Sequence, residues 1–99
     1  MSIEELAPSN MLEDSTRFWL MEQIRMALKK FRSERDMTQA DVAEKLGKDQ
    51  VFVSNCESGR RKIDPVELIC FLNVYEVSLD ELFSLLDPAE AQEREYGPL

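Results

Sequence analysis

The side chains best suited to chemistry in this chain of 99 residues lie between residues 50 and 58. Wound as a helix at 100° per residue, this segment divides into two faces. One face carries the apolar side chains Phe52, Val53 and Cys56. The other carries short amides, hydroxyls and one valine, at Gln50, Val51, Ser54, Asn55 and Ser58. A surface helix with a purely structural role usually carries Lys and Glu on its outer face, so this composition is informative.

Amide side chains can pair bidentately with adenine, and an apolar side chain can contact the methyl group of thymine. We therefore expect base-reading contacts at Gln50, Val51, Ser54 and Asn55. Gln50 and Val51 lie at the amino-terminal end of the helix, the end that enters the major groove most deeply when a helix docks on DNA. The alternative is a solvated helix face that has no ligand.

Basic and amide side chains surround this strip. We expect phosphate contacts at Lys48, just before the strip, and at Arg60, Arg61 and Lys62, just after it. Gln39 begins the preceding helix, where the amino-terminal dipole also favours an anion. Each of these residues alone would suit an ordinary surface, whereas their joint occurrence around one helix is more specific.

The elements that position these side chains form a helix-turn-helix over residues 38–57. Thr38 with Asp41 resembles a capping box at the start of the second helix, and Asp49 is placed to cap the third helix. Gly47 supplies a left-handed residue at the turn between the two. The sequence thus predicts two short helices joined by a tight turn.

Three further helices are predicted around this pair. A long first helix, capped by Ser15 or Thr16, runs to about Glu34, and Asp36 stands where the chain must turn left-handed. Its core stripe is Leu20, Met21, Ile24, Ala27, Leu28 and Phe31. A fourth helix starts at Asp64-Pro65 and a fifth at Ser78. The expected fold is all-α, a compact five-helix domain with an amino-terminal extension that lengthens the first helix.

The expected organisation is an arm over residues 1–14, partly disordered, a domain over residues 15–87 and an acidic tail over residues 88–99. Trp19 and Met26 fall opposite the core stripe of the first helix. A second subunit or the arm could cover them, and partial exposure is the plain alternative.

The charge is unevenly distributed along the chain. Its net value is −8, yet residues 22–62 carry ten bases and seven acids, for a local balance of +3. Residues 1–21 carry −3 and residues 63–99 carry −8. Because local potential governs attraction to phosphates, the net charge does not exclude a nucleic-acid partner.

Other classes of protein find little support in the sequence. The chain has no His, no Gly-rich phosphate loop and no metal-ligand spacing, so we expect no enzyme activity, no metal and no cofactor. Cys56 and Cys70 lie within apolar helical patterns and are expected to be buried, reduced thiols. No apolar run approaches the ~20 residues of a membrane span. The start of the chain lacks the pattern of a secretory signal, and a cytoplasmic location is expected.

The segments MTQADVAEKLG, VFVSNCESGRRKID and VSLDELF resemble the XRE family, the Cro and phage-repressor type of helix-turn-helix, from about Ile24 to Leu86. The resemblance implies phosphate contacts that include Ser58 and an ion pair between Arg32 and Glu57. It also implies a bacterial or phage origin. Asp36 departs from the Gly common at the first turn of the family, and Asn55 departs from a longer polar residue.

Two functions are compatible with these observations. The first is a sequence-specific transcriptional regulator, a repressor that binds double-stranded DNA as a homodimer at an inverted repeat. The second is a protein-interaction module, such as an antitoxin or adaptor, that uses the same helical bundle to hold a protein partner.

Overall fold

The computed structural model describes residues 13–86, and all regular secondary structure within that range is α-helical. Five helices follow one another along the chain: α1 (Asp14–Glu34), α2 (Gln39–Leu46), α3 (Gln50–Ser58), α4 (Pro65–Tyr75) and α5 (Leu79–Leu85). The predicted fold class, all-α with five helices and a long first helix, is confirmed. The predicted arm and acidic tail fall almost entirely outside the described residues.

All five helices and the turns after α4 and α5 contribute to one core. Its buried hydrophobic members are Ala27, Leu28, Phe31, Val42, Ala43, Val53, Cys56, Phe71, Leu72, Tyr75, Val77, Leu82 and Leu86. Three of the six stripe residues expected on α1 are in this set, and Leu20 and Ile24 pack against it while partly exposed. The inner face expected for α3 is also confirmed, with Val53 and Cys56 buried and Phe52 half-buried.

The α2–α3 pair is defined by local capping, as the sequence predicts. The Thr38 hydroxyl accepts from the Asp41 backbone N–H, and the Asp41 carboxylate accepts from the Thr38 N–H. Gly47 ends α2 with a left-handed φ of 69°. The Asp49 side chain then accepts from the Phe52 N–H to start α3. These bonds satisfy backbone donors that a helix start leaves unpaired.

The start of α1 differs from the prediction. The helix begins at Asp14, and its N-cap residue, Glu13, makes no capping bond through its side chain. Neither Ser15 nor Thr16 is the cap. Thr16 lies within the first turn of α1 and is 5% exposed. Asp14, the last residue assigned to the predicted arm, is the first residue of α1, and residues 1–12 of that arm lie outside the described residues.

The fourth helix exposes side chains that its apolar sequence would hide. Val66, Ile69 and Cys70 lie on the outer face of α4, with Asn73 one turn further along, at spacings that place them on one side of a helix. The core contacts of α4 come instead from Phe71, Leu72 and Tyr75 on the opposite side. The prediction of two buried thiols is therefore wrong for Cys70, which is exposed, and right for Cys56.

Two turns of the domain use left-handed residues that are not glycine. Asp36 has a φ of 52°, as expected from its position after α1. Glu76, at the end of α4, has a φ of 57°, which the sequence did not indicate. Both turns end a helix with a backbone N–H that bonds back to its last turn. These two turns join α1 to α2 and α4 to α5.

Candidate nucleic-acid interface

The outer side of α3 presents the side chains that the sequence singled out. Gln50 and Val51 lie in its first turn, and both are exposed, Val51 at 63%. Ser54 and Asn55 follow one turn later and are half-buried. Val51 adds one exposed apolar side chain to an otherwise polar strip. The strip therefore offers hydrogen-bonding groups and one apolar contact on a single helical face.

A hydrogen-bonded chain connects this strip to the interior of the domain. Gln50 Nε2 donates to Gln39 Oε1 at 3.5 Å, and Gln39 Nε2 donates to Glu57 Oε1 at 3.0 Å. Because a carboxylate can only accept, the contact with Glu57 sets which end of the Gln39 amide faces Gln50. The Gln39 amide, oriented by Glu57, thus presents its oxygen to the side chain at the start of α3.

The other end of this chain is an ion pair. Arg32 Nε donates to Glu57 Oε2 at 2.6 Å and Arg32 Nη2 donates to Glu57 Oε1 at 3.0 Å, a bidentate arrangement. Arg32 Nη1 also donates to the Met37 carbonyl at 2.9 Å. The hydrogen bonds to Glu57 raise the pKa of Arg32 above its usual value, against the effect of burial. The structure thus brings together the two residues expected to pair and uses them to join α1, α3 and the α1–α2 turn.

A second arginine of α1 holds the carboxyl end of α3. Arg25 Nη1 donates to the Glu57 carbonyl at 3.3 Å, and its guanidinium forms an ion pair with Glu22 on the same helix. The guanidinium packs so closely on Gly59, which has a φ of 85°, that an added Cβ would lie 2.7 Å from it. In the sequence, Arg25 stood out only as one of several bases. Its spacing of seven residues from Arg32, two helical turns, was the available signal for a shared role.

The loop after α3 is folded back on the helix. Ser58 Oγ donates to the Asn55 carbonyl at 3.3 Å, and the Arg61 N–H donates to the same carbonyl at 3.2 Å. The Arg60 N–H approaches Ser58 Oγ at 3.5 Å. The backbone that carries the basic triplet is therefore ordered by α3, which fixes where its charges lie relative to the polar strip.

The bases around α3 differ in whether they already pair with a carboxylate. The Arg61 guanidinium pairs with Glu67 on α4 and lies 5.0 Å from the centroid of the Phe52 ring. Lys48 Nζ lies 5.5 Å from the same centroid. Within residues 13–86, no carboxylate forms an ion pair with Lys48, Arg60 or Lys62, and all three are exposed. These three cations are available to an anion, whereas Arg61 would have to share its charge with Glu67.

The face of α1 expected to need a cover is only partly open. Trp19 is half-buried, while Met26 is 61% exposed. Phe18, which the sequence pattern did not single out, is 67% exposed. A helix that buries one stripe must leave some apolar residues outside it, so these side chains alone define no site.

Other kinds of site are not seen in the part of the chain that the structure describes. Residues 13–86 contain no group of three or more His, Cys, Asp or Glu side chains placed to hold a metal ion. None of the helices in that range combines the length and the apolar character needed to cross a membrane. The polar strip of α3 and the bases around it are the strongest candidate site.

Comparison with known protein families agrees with this geometry. A helix-turn-helix family model matches residues 28–82, more than half of the chain. Neither the curated proteins nor the solved structures gave a match. A five-helix domain with a capped α2–α3 pair and an oriented polar face defines a helix-turn-helix DNA-binding protein. The chain belongs to the XRE-type helix-turn-helix family, and the family supports a DNA-binding regulator.

Proposed function

We propose that this protein is a sequence-specific repressor that binds an inverted-repeat operator as a homodimer, with α3 in the major groove. The observation that carries the proposal is the oriented polar face of α3. Gln50 and Asn55 would contact base edges, Val51 would contact a thymine methyl, and Ser54 would add a hydroxyl. The chain of bonds from Gln50 to Arg32 supports this role, because preorganised groups lose less entropy on binding.

Phosphate contacts would surround the reading face and fix its register. Lys48, Arg60 and Lys62 are the cations free for this task within the described residues. Gln39 retains one amide hydrogen beyond its bond to Glu57 and lies at the start of α2, where the helix dipole favours an anion. Ser58 and Arg61 would complete the set.

A homodimer is expected because one domain of this size makes few base contacts. Single modules bury less surface than the dimers that reach tight specific affinity. Two copies related by a twofold axis would place their α3 helices about one turn of DNA apart, roughly 34–36 Å. A repressor that needs no separate activating surface is the simplest regulator that such a dimer can form.

Selection of bound sequences from a random DNA pool tests the base-reading assignment. The full chain is expected to enrich an inverted repeat. Gln50→Ala and Asn55→Ala should each relax the preference at one position per half-site and cost about 1–3 kcal/mol of discrimination there. Gln23→Ala, which removes an amide from α1 at a residue outside the proposed DNA contacts, is the matched control and should select the original sequence.

The assignment fails if both α3 variants select the same sequence as the unchanged chain. Enrichment of single half-sites without a repeat would argue against the dimer. A reporter gene placed behind the selected operator distinguishes repression from activation by the direction in which its expression changes.

A second candidate function is an antitoxin or adaptor that holds a protein partner. The exposed apolar side chains of α4 and α5 favour it: Val66 is 69% exposed, Ile69 50% and Phe83 48%. Co-purification of one defined partner, abolished in Ile69→Ser with Phe83→Ser, would support this function. Retention of DNA selection by that double variant would show that the two roles use different surfaces.

A further inference from the structure

A cavity of about 420 Å³ lies between the amino-terminal half of α1 and the loop that joins α3 to α4. Its volume falls within the range of about 300–1,000 Å³ that is usual for small-molecule sites. Apolar side chains from α1 form one part of the wall, contributed by Phe18, Leu20 and Met21. This cavity is separate from the polar face of α3, although it adjoins the end of that helix at Gly59.

The rest of the wall is strongly basic. Four cations line the cavity, Arg17, Arg25, Arg61 and Lys62, and none of its lining residues within 13–86 is acidic. Two of the four are already engaged by carboxylates, Arg25 by Glu22 and Arg61 by Glu67. Among the described residues, no carboxylate forms an ion pair with Arg17 or Lys62.

This combination specifies the chemistry of an occupant. An apolar body would cover Phe18, which is 67% exposed, and remove its ring from water. A negative group would pair with Arg17 and Lys62, whereas a cation would be repelled by these two side chains, which form no ion pair within the described residues. A neutral apolar molecule would cover Phe18 but would not pair with Arg17 and Lys62.

We propose that this cavity binds a small organic acid with an apolar body, such as a medium-chain carboxylate, and that its binding competes with DNA. The competition rests on the proposed function, in which Arg61 and Lys62 contact phosphates. A bound carboxylate would draw Lys62 towards α1 and add negative charge beside the basic loop. The site thereby gives the helix-turn-helix domain itself a direct means of responding to a metabolite.

Isothermal titration of the full chain with octanoate, below its micelle concentration, tests the site in the absence of DNA. Octanoate is expected to bind to one site, octan-1-ol more weakly, and octyltrimethylammonium not detectably. Arg17→Gln should weaken octanoate binding about two- to fivefold, the range for an exposed charge pair. Lys29→Gln, an exposed base on the same helix, is the matched control and should leave the affinity unchanged.

The effect on DNA is measured separately with the selected operator. Octanoate should raise the apparent Kd for DNA, and DNA should raise the Kd for octanoate by the same factor, because the coupling is reciprocal. Arg17→Gln should shift this inhibition to higher octanoate concentrations while leaving the affinity for DNA alone unchanged.

Any one of three results overturns the site. Octanoate does not bind, all three probes bind equally, or Arg17→Gln leaves the affinity for octanoate unchanged. Tighter octanoate binding after Ile3→Ser with Leu6→Ser would mean that the chain's own first residues fill the cavity. Affinity that falls as protein concentration rises would mean that a second copy does so, and either result overturns the proposal. Octanoate binding without competition overturns the regulatory part, whereas octanoate binding by a chain that selects no DNA contradicts the proposed function and leaves the site standing.

Discussion

Tyr75 lies at the centre of the core with no exposed surface, and its hydroxyl has no hydrogen-bond partner within the described residues. Burial raises the pKa of this phenol far above its ordinary value of 10, so the group stays neutral. A buried hydroxyl without a partner loses its hydration and gains no bond in exchange. The ring, in contrast, packs at 6.5 Å from Phe31 and 6.3 Å from Phe71.

Replacing this hydroxyl should therefore stabilise the domain. Tyr75→Phe is expected to raise the free energy of unfolding by about 1 kcal/mol, which corresponds to roughly 4–8 °C in Tm for a domain of this size. Thermal unfolding followed by circular dichroism measures it. Tyr75→Leu, which removes the aromatic ring, should lower Tm. A lower Tm in Tyr75→Phe would show that the hydroxyl does find a partner.

Removal of either partner of the Arg32–Glu57 pair should instead destabilise the domain. Its side chains are only 14% and 6% exposed, so removal of one partner leaves a poorly solvated charge. Arg32→Met should cost about 2–4 kcal/mol, near the range for breaking a buried pair. The double variant Arg32→Met with Glu57→Met should cost less than the sum of the two single changes, as measured by urea unfolding. Additive costs would mean that the pair is not coupled.

At the scale of the helices, two left-handed glycines provide a matched comparison. Gly47 and Gly59 each end a helix, with φ values of 69° and 85°. A Cβ at Gly47 would have no atom within 4 Å, whereas at Gly59 it would meet the Arg25 guanidinium at 2.7 Å. A substitution at Gly47 therefore measures only the cost of placing a side chain on a left-handed residue. A substitution at Gly59 has the same cost and also displaces Arg25.

Gly47→Ala should destabilise the domain by about 1–2 kcal/mol, the cost of a left-handed residue with a side chain. Gly59→Ala should cost more, and it should also weaken DNA binding, because Arg25 anchors the carboxyl end of α3. Urea unfolding and a DNA titration of both variants measure these effects. Equal costs at the two positions would show that Arg25 moves away freely.

The starts of α2 to α5 could be predicted because their signals are local. Thr38, Asp49, Asp64 and Ser78 each accept a backbone N–H three residues on, a spacing that can be read from the sequence. The start of α1 could not, because its N-cap residue, Glu13, makes no capping bond through its side chain and so provides no local signal. The outer face of α4 was missed for a related reason: nearly all its positions are apolar, so periodicity does not show which side faces the core.

In the candidate site, too, local features could be predicted and contacts between distant residues could not. The composition of the α3 strip was visible in the sequence, and its exposed position follows from helical spacing. The contacts of Arg25 with Gly59 and of Arg35 with the carbonyls of Tyr75 and Phe31 were not predictable, since they join residues far apart in the chain or depend on side-chain conformation. Neither the cavity beside α1 nor the pairing of Arg61 with Glu67 has a signature in the sequence.

At the scale of the whole molecule, only residues 22–62, which include α3, carry a positive balance of charge. The chain has a net charge of −8, yet residues 22–62 carry a balance of +3. Such a distribution weakens non-specific attachment to DNA and leaves a local attraction around the reading face. Binding should therefore depend on salt through a small number of phosphate contacts, and not through the total charge.

Affinity for the selected operator, measured at several salt concentrations, tests this view. The logarithm of the binding constant should fall linearly with the logarithm of salt concentration. Lys62→Gln should reduce the slope by about 2 in a dimer, roughly 0.9 for each phosphate that no longer pairs with a lysine. Lys29→Gln should leave the slope unchanged. A slope that Lys62→Gln does not alter would place the phosphate contacts elsewhere.

The bonds that join Gln50 to Gln39, and Gln39 to Glu57, also constrain how this domain can acquire a new operator. Gln39 serves three neighbours in the proposed complex: a base-reading residue, a buried carboxylate and a phosphate. A substitution at Gln50 that favours another base would remove its contact with the Gln39 amide. The proposed contact of Gln39 with a DNA phosphate would then change as well. Changes of specificity are therefore expected to arise in pairs, at positions 39 and 50 together, so that recognition and anchoring evolve as one trait.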